Sequence, residues 1–326
     1  MNCEFEDKIF NVKEAEFEQM ALSLFRFQAE NNGIYRAYCE RLNIVPGSVN
    51  SIQQIPFLPI SFFKTHPVTT GQFEPGIIFE SSGTTGSVNS KHLVKNVSLY
   101  QRSFLGAFRI FYGEPADWCI IGLLPSYLER KASSLVAMAD ELIRLSAHPM
   151  GGFYLYDYEA LHRNLVKLET AGQQTLLIGV SFALLDFVDQ FRLNLKHCTI
   201  METGGMKGRR QEITRPALHD ELQRNFGVES VHSEYGMTEL LSQAYSKGGG
   251  IFSCPPWMRV MVREDDDPLS VKREGKGILN IIDLANVYSC SFIATDDIGI
   301  VHKDLKFEVQ GRMDNSDVRG CSLMVV

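Results

Sequence analysis

The chain has 326 residues, 44% of them hydrophobic, enough for one large globular domain or two moderate ones with an ordinary core. Its formal net charge is −7, with Lys and Arg interleaved among Asp and Glu. That pattern excludes a nucleic-acid or anionic-membrane partner held by bulk electrostatics, so any phosphate must be held by a local site.

The seven cysteines (Cys3, Cys39, Cys119, Cys198, Cys254, Cys290 and Cys321) are an odd, widely spaced set with no CxxC pair. They fit neither a disulfide framework nor a zinc site, and reduced thiols in a cytoplasmic protein are expected. The N-terminus opens with acidic residues, without the basic start and apolar run of a secretory signal. The longest apolar stretch, Leu176 to Leu185, is about half of the ~20 residues a membrane span needs. A soluble protein with no membrane span is therefore expected.

Along the chain, Phe17, Met20, Ala21, Leu24 and Phe25 repeat at helical spacing and predict an amphipathic packing helix over 13–30. A strand at Cys119 to Leu124, helices at Ser133 to Ser146 and Tyr158 to Thr170, and a strand at Thr175 to Gly179 follow. A helix at Phe182 to Phe191, a strand at Cys198 to Glu202, a helix at Arg210 to Phe226 and a strand at Glu229 to His232 continue the alternation. This is the pattern of parallel βαβ units. From Trp257 the character changes: Arg259 to Arg263, Gly277 to Asp283, Ser291 to Thr295 and Ile298 to His302 read as strands with little helix between them, a more antiparallel sheet. Gly248 to Gly250 and Asp265 to Asp267 before Pro268 are loop signals.

Three short motifs carry chemistry. Glu80-Ser81-Ser82-Gly83-Thr84-Thr85-Gly86 follows the apolar run Ile77 to Phe79, with Lys91 beyond it. Glycines let backbone N–H groups converge, hydroxyls add donors and a lysine adds charge, which suits a polyphosphate; the plain alternative is a turn, and Gly-Lys-Ser/Thr of a Walker loop is missing. Ser233-Glu234-Tyr235-Gly236-Met237-Thr238-Glu239 follows a predicted strand. Tyr235 could stack on a base, Thr238 donate to a phosphate and Glu239 hold Mg²⁺ through a hard oxygen; the alternative is a helix start with Thr238 and Glu239 near its N-terminus. In the third, Thr295-Asp296-Asp297 precedes Gly311-Arg312-Met313-Asp314. An aspartate can take two ribose hydroxyls and Arg312 can bind phosphate or ribose oxygens.

In this order the motifs resemble those of the adenylate-forming superfamily, which includes acyl-CoA synthetases, peptide-synthetase adenylation domains and beetle luciferase. Ser82-Gly83-Thr84-Thr85-Gly86 looks like its phosphate loop, with the usual proline-lysine replaced by Ser87-Val88-Asn89-Ser90-Lys91. Gly204-Gly205 looks like its adenine-side glycine pair, and Tyr235-Gly236-Met237-Thr238-Glu239 matches Tyr-Gly-x-Thr-Glu. Thr295-Asp296-Asp297 resembles the ribose motif with its middle glycine changed, and Gly311-Arg312-Met313-Asp314 resembles the hinge motif.

Twelve residues follow Asp314, where superfamily members continue into a small mobile domain. Within that tail, Cys321 after Arg319-Gly320 resembles the acyl-protein synthetase subunit of the bacterial luminescence fatty-acid reductase. The resemblance implies an α/β fold with mixed sheets, the large domain of the superfamily, with the C-terminal mobile domain absent. A helical segment at 1–70, a body at 71–314 that is strand-rich from about 257, and a tail at 315–326 are the implied domains.

It also implies ATP and Mg²⁺ as cofactors, Glu239 as the metal residue, and Cys321, Thr238, Glu239 and Arg312 as catalytic. The nucleotide-binding set is Ser82, Gly83, Thr84, Thr85, Gly86, Lys91, Gly204, Gly205, Tyr235, Gly236, Met237 and Asp297. The implied reaction is activation of a carboxylic acid, a long-chain fatty acid in that subgroup, as acyl-adenylate. Transfer to Cys321 and on to a protein partner, a reductase-like enzyme or an acyl carrier, would follow. An acyl-CoA or aryl-CoA ligase and a non-catalytic nucleotide- or acyl-binding module stay open as alternatives. Lys64, Lys207, Arg209 and Arg210 are unranked candidates for the charge a mobile-domain lysine would supply. Phe182, Leu184, Leu185 and Phe187 read either as an apolar tunnel or as plain core, and His232 as either a site residue or a strand end.

Overall fold

A computed structural model of the chain describes residues 5–81, 88–124, 132–204, 210–211 and 213–313. The strands in chain order are β1 (Leu58–Pro59), β2 (Ile77–Glu80), β3 (Lys91–Val94), β4 (Cys119–Leu123), β5 (Gly152–Phe153), β6 (Thr175–Val180), β7 (Cys198–Thr203) and β8 (Val231–Tyr235). After them come β9 (Ala244–Ser246), β10 (Ile251–Ser253), β11 (Met258–Arg263), β12 (Val271–Lys272), β13 (Gly275–Asp283), β14 (Phe292–Val301) and β15 (Phe307–Arg312). Two compact units result. Among the described residues, one is built from 5–107, Gly236–Gln243 and 253–313; the other from Phe108–Tyr235 and Ala244–Phe252.

The second of these units has the predicted βαβ pattern. Strands β5, β4, β6, β7 and β8 lie side by side, all parallel, and β9 adds antiparallel to β8. Parallel strands covered on both faces read as continuous apolar runs, and β4 and β6 are buried at every position. Ile121, Leu177 and Ile200 of the sheet pack with Leu161 and Leu165 of helix Tyr158–Thr170 and with Leu222 and Phe226 of helix Arg215–Phe226. Phe182, Leu184, Leu185 and Phe187 belong to this core, on helix Ser181–Val188.

The predicted start of the next helix at Arg210 is corrected to Arg215. Pro216 has no N–H and fits only in a first turn, and Thr214 caps it by accepting from the Ala217 amide at 3.4 Å. Gly227, at φ 67°, ends the helix where a Cβ would meet Asn194 Cα at 2.7 Å.

In the other unit β12, β11, β13, β14 and β15 form an antiparallel ladder, and β1 pairs parallel with β14. The two strands predicted at Ser291 to Thr295 and Ile298 to His302 are one continuous strand, β14. The acidic pair Asp296-Asp297 reads as a break, but Thr295 Oγ1 donates to Leu279 O at 2.7 Å and accepts from the Asp297 amide at 3.1 Å, and the backbone stays extended through it. The predicted N-terminal helix runs over Glu14–Asn31 and buries Phe17, Ala21, Leu24, Phe25 and Gln28. Phe25, Tyr35 and Phe57 pack around Phe292 of β14, Tyr35 stacked on it at 6.1 Å.

Candidate functional site

Strands β7 and β8 run parallel in register, Thr203 beside Glu234 and Glu202 beside Ser233. Ligand crevices in α/β sheets form at the carboxyl ends of such strands. Gly204 follows β7 directly at φ 68°, a left-handed conformation glycine adopts without strain, and its carbonyl accepts from Ser181 Oγ at 3.2 Å. Tyr235 closes β8, buried edge-on against Phe252 with ring centroids 5.8 Å apart. His232 lies half-buried on β8, its Nδ1 3.1 Å from Tyr112 Oη; burial and the Lys247 and His219 charges push it down to about 4.

Two residues before Gly204 and one before Tyr235, the strands carry buried carboxyls in opposite states. On Glu202, burial alone would raise the pKa, but hydrogen bonding to His219, the Arg215 guanidinium and Ser233 outweigh it and hold the carboxyl below its usual range. Arg215 Nε lies 3.2 Å and His219 Nε2 3.5 Å from Glu202 Oε1. Burial pushes Glu234 up to about 7, opposed by a hydrogen bond from Thr203 Oγ1 at 2.6 Å and reinforced by the Glu202 charge. Glu234 lies within the second motif, but nothing in the sequence marks its pairing with Glu202.

In the other unit the segment Gly236–Gln243 has neither helix nor strand, so the helix start considered for Thr238 and Glu239 gives way to a turn. Thr238 is half-buried and Glu239 is buried at 3% exposure. Among the described residues no group of three or more His, Cys, Asp or Glu could hold a metal ion. A single buried carboxylate is nevertheless a fit for Mg²⁺, which takes one or two protein carboxylates and fills its shell with water and substrate phosphates.

The ends of the Gly/Ser/Thr-rich run are tied into a hairpin. Glu80 of β2 faces Lys91 of β3, with Lys91 Nζ 3.4 Å from Glu80 Oε1, and Ser90 N donates to Ser81 Oγ at 2.9 Å while Ser81 N donates to Ser90 O at 3.0 Å. An exposed pair of this kind is worth at most about 1 kcal/mol and would release Lys91 to a phosphate at little cost. Asp297 of β14 and Arg312 of β15 are register partners, with Arg312 Nε 3.3 Å from Asp297 Oδ1.

Ser82, Gly83, Thr84, Thr85, Gly86, Gly205, Lys207, Arg209 and Cys321 lie outside the described residues. Arg210 is committed to Asp186, at 3.5 Å, and to Asp189. Lys64 sits half-buried on the short helix Phe62–Thr65. Three further residues, His92, Asp283 and Asn286, hold the Thr238–Glu239 segment and have no signature of their own in the sequence; only the fold brings them to it.

No family model matches the chain. It is 24% identical over 327 residues to the long-chain-fatty-acid–luciferin-component ligase of Vibrio harveyi, covering 92% of this chain and 84% of that protein. The ligase of the same name from Aliivibrio fischeri is 24% identical over 364 residues, 99% of this chain and 93% of that one. Among solved structures, a 2-hydroxyisobutyryl-CoA ligase in the postadenylation state superposes over 95% of this chain and 70% of its own with a TM-score of 0.65 at 13% identity. The luciferase-like enzyme of the nonluminescent mealworm Zophobas morio covers 76% of this chain and 60% of its own, with a TM-score of 0.50 and 15% identity. The chain thus has the mixed α/β fold of the adenylate-forming ligases, and along nearly its whole length its sequence resembles the long-chain-fatty-acid–luciferin-component ligases.

Proposed function

We propose that this chain is an ATP-dependent fatty-acid ligase that makes an acyl-adenylate, passes the acyl group to Cys321 and hands it to a protein partner, a reductase-like enzyme or an acyl carrier. The observation that carries the reading is the placement of Tyr235-Gly236-Met237-Thr238-Glu239 at the carboxyl end of β8, which pairs parallel with β7, in an adenylate-forming fold. Near full-length similarity to two ligases named for long-chain fatty acids supports the substrate class.

In the first half-reaction a carboxylate oxygen bonds to the α-phosphorus of ATP and the bond to pyrophosphate breaks. Two anions approach, so the protein has to offset their repulsion with donors already aimed at the developing charge. Thr238, the Ser82 to Gly86 loop and Arg312 take that role, with Lys91 adding charge once it leaves Glu80. Gly204, Gly205 and Tyr235 hold the adenine, and Asp297 the ribose. Mg²⁺ bound through Glu239 supplies charge neutralisation on the phosphates. In the second half-reaction the Cys321 sulfur, as thiolate, bonds to the acyl carbon and AMP leaves. A thiolate suits this step because it is a strong nucleophile near neutral pH.

Pyrophosphate release measured across a panel of carboxylic acids, with and without coenzyme A, tests the reading. Release should be greatest with long-chain acids and independent of coenzyme A. ATP binding without release for any acid would instead make the chain a binding module, and release that turns over only with coenzyme A would make it an acyl-CoA ligase.

A further inference from the structure

With no helix or strand over residues 236–243, the main chain of the Thr238–Glu239 segment has no ladder to fix it, and its polar groups must find partners elsewhere. Those partners are specific. His92 Nδ1 lies 2.9 Å from the Thr238 carbonyl, and Asn286 Nδ2 donates to the Glu239 carbonyl at 2.8 Å. Asp283 Oδ2 accepts from the Leu241 and Ser242 amides at 2.8 and 3.0 Å, and its Oδ1 accepts from Ser242 Oγ at 2.5 Å and from the Ala285 amide at 3.1 Å.

Asp283 and Asn286 are both fully buried, at the end of β13 and in the turn just after it. The directions of the hydrogen bonds fix their chemistry. Trp257 Nε1 can only donate, and does so to Ser103 Oγ at 3.0 Å, which leaves the Ser103 hydrogen for Ser242 Oγ at 2.9 Å and the Ser242 hydrogen for Asp283. That run of donors ends on Asp283, whose carboxyl oxygens accept four hydrogen bonds, one from Ser242 Oγ and three from the Leu241, Ser242 and Ala285 amides; a side-chain amide there would set an N–H₂ group against a donor. Asn286 shows the opposite economy: its Nδ2 is used, while its buried Oδ1 has no hydrogen-bond partner among the described residues. An apolar residue of the same size would carry no such cost, so the single donor bond to Glu239 is what the asparagine contributes. The turn itself is held from behind by Gln28, whose Nε2 donates to Asn286 O at 2.8 Å, Val287 O at 3.0 Å and Ser291 Oγ at 3.1 Å.

We infer that Asp283 and Asn286 are positioning residues, holding the main chain at Glu239–Ser242 so that the Thr238 hydroxyl and the Glu239 carboxylate are set for metal-bound ATP before it arrives. This rests on the reading that Thr238 and Glu239 serve ATP and its divalent cation. Preorganised groups of this kind gain their effect from supports that do not move when charge develops.

The test is Mn²⁺ binding in the presence of a non-hydrolysable ATP analogue, read by water-proton relaxation on the full chain, beside the melting temperature. Asn286→Leu removes the donor and the unsatisfied oxygen together. It should weaken Mn²⁺ binding at least tenfold without lowering the melting temperature, a split that a purely structural residue would not give. Gln28→Met, which loosens the turn without touching residues 238–242, should weaken Mn²⁺ binding about threefold. Unchanged Mn²⁺ affinity in both folded variants, or a lowered melting temperature with unchanged affinity, overturns the inference alone. No Mn²⁺–nucleotide binding by the wild type overturns it together with the reading on which it rests.

Discussion

Asp297 and Arg312 face each other across the β14–β15 ladder, the Arg312 Nε 3.3 Å from Asp297 Oδ1, so two residues expected to serve ribose and phosphate are also each other's counter-charge. Both are largely buried, with side-chain exposures of 13% and 21%, and either one alone would be left with a poorly solvated charge. Ribose contacts stabilise ground state and transition state about equally, so Asp297→Ala should raise the apparent KM for ATP with a smaller effect on kcat. The pairing adds a second expectation: Asp297→Asn and Arg312→Gln should show a stability coupling on the order of 1 kcal/mol in a double-mutant cycle by urea unfolding. Additive losses would deny the pair, and an unchanged KM in Asp297→Ala beside a raised one in Asp296→Ala would move the ribose role to the neighbouring aspartate.

Glu239→Gln and Thr238→Ala should each lower pyrophosphate release by on the order of 10²-fold, the size expected on removing a metal ligand or a preorganised donor from developing charge. Glu239 is buried and fixed through its carbonyl by Asn286, which leaves the glutamine little room to find a new geometry. Wild-type release by Glu239→Gln at saturating Mg²⁺ and ATP would rule out the metal role.

Glu234 gives a pH signature of its own. Its ordinary value of 4.5 is raised to about 7 in the folded protein, chiefly by burial, so between those values the folded state holds a proton that the unfolded state has lost. The stability Glu234 contributes is therefore complete below about pH 4.5 and is lost as pH rises through about 7. His92 and His232, both pushed down to about 4, act with the opposite sign between pH 4 and their usual 6.5, so the wild-type profile alone is a sum. Subtracting the profile of Glu234→Gln isolates the carboxyl: the melting temperature of wild type relative to the variant should fall from pH 5 to pH 8. A difference that is flat, or that rises with pH, contradicts the assignment.

Much of the fold is legible because it rests on local pattern. The fully apolar runs at Cys119–Leu123 and Thr175–Val180, bounded by helical periodicity, announce parallel strands, and the strand-rich stretch after Trp257 announces the antiparallel ladder. Local pattern misplaces elements where side chains overrule it: Pro216 and Thr214 set the helix start at Arg215 rather than at the expected Arg210, and the Thr295 hydroxyl carries β14 through an acidic pair. The supports of the candidate site are illegible for a different reason. His92 meets Thr238 across 146 residues of sequence and Asn286 meets Glu239 across 47, and neither belongs to a spacing that local rules can read. The Glu202 and Glu234 carboxyls belong with them, since their opposite states depend on which neighbour the register of β7 and β8 delivers.

Cys321→Ala should still release pyrophosphate but accumulate no acyl group on the protein. The thiols that the structure describes narrow the choice of acceptor. Cys39, Cys119 and Cys254 are each pushed up to about 12, chiefly by burial, and Cys198 and Cys290 are raised further still. A thiol at that value is ionised to only about one part in 10⁵ near pH 7, against a few per cent for an ordinary exposed one, and the thiolate is the nucleophile. Of the seven cysteines this leaves Cys3 and Cys321, both outside the described residues. The plain alternative is that Cys321 packs with Leu323, Met324 and Val325 as an apolar tail. Intact-protein mass after incubation with ATP, Mg²⁺ and a long-chain fatty acid separates the two: a hydroxylamine-sensitive acyl adduct should appear on wild type and on Cys3→Ala but not on Cys321→Ala. An equal adduct on Cys321→Ala that disappears in Cys3→Ala would transfer the role to Cys3, and one that survives both substitutions would point to half-buried Cys254, the one described cysteine that is not buried.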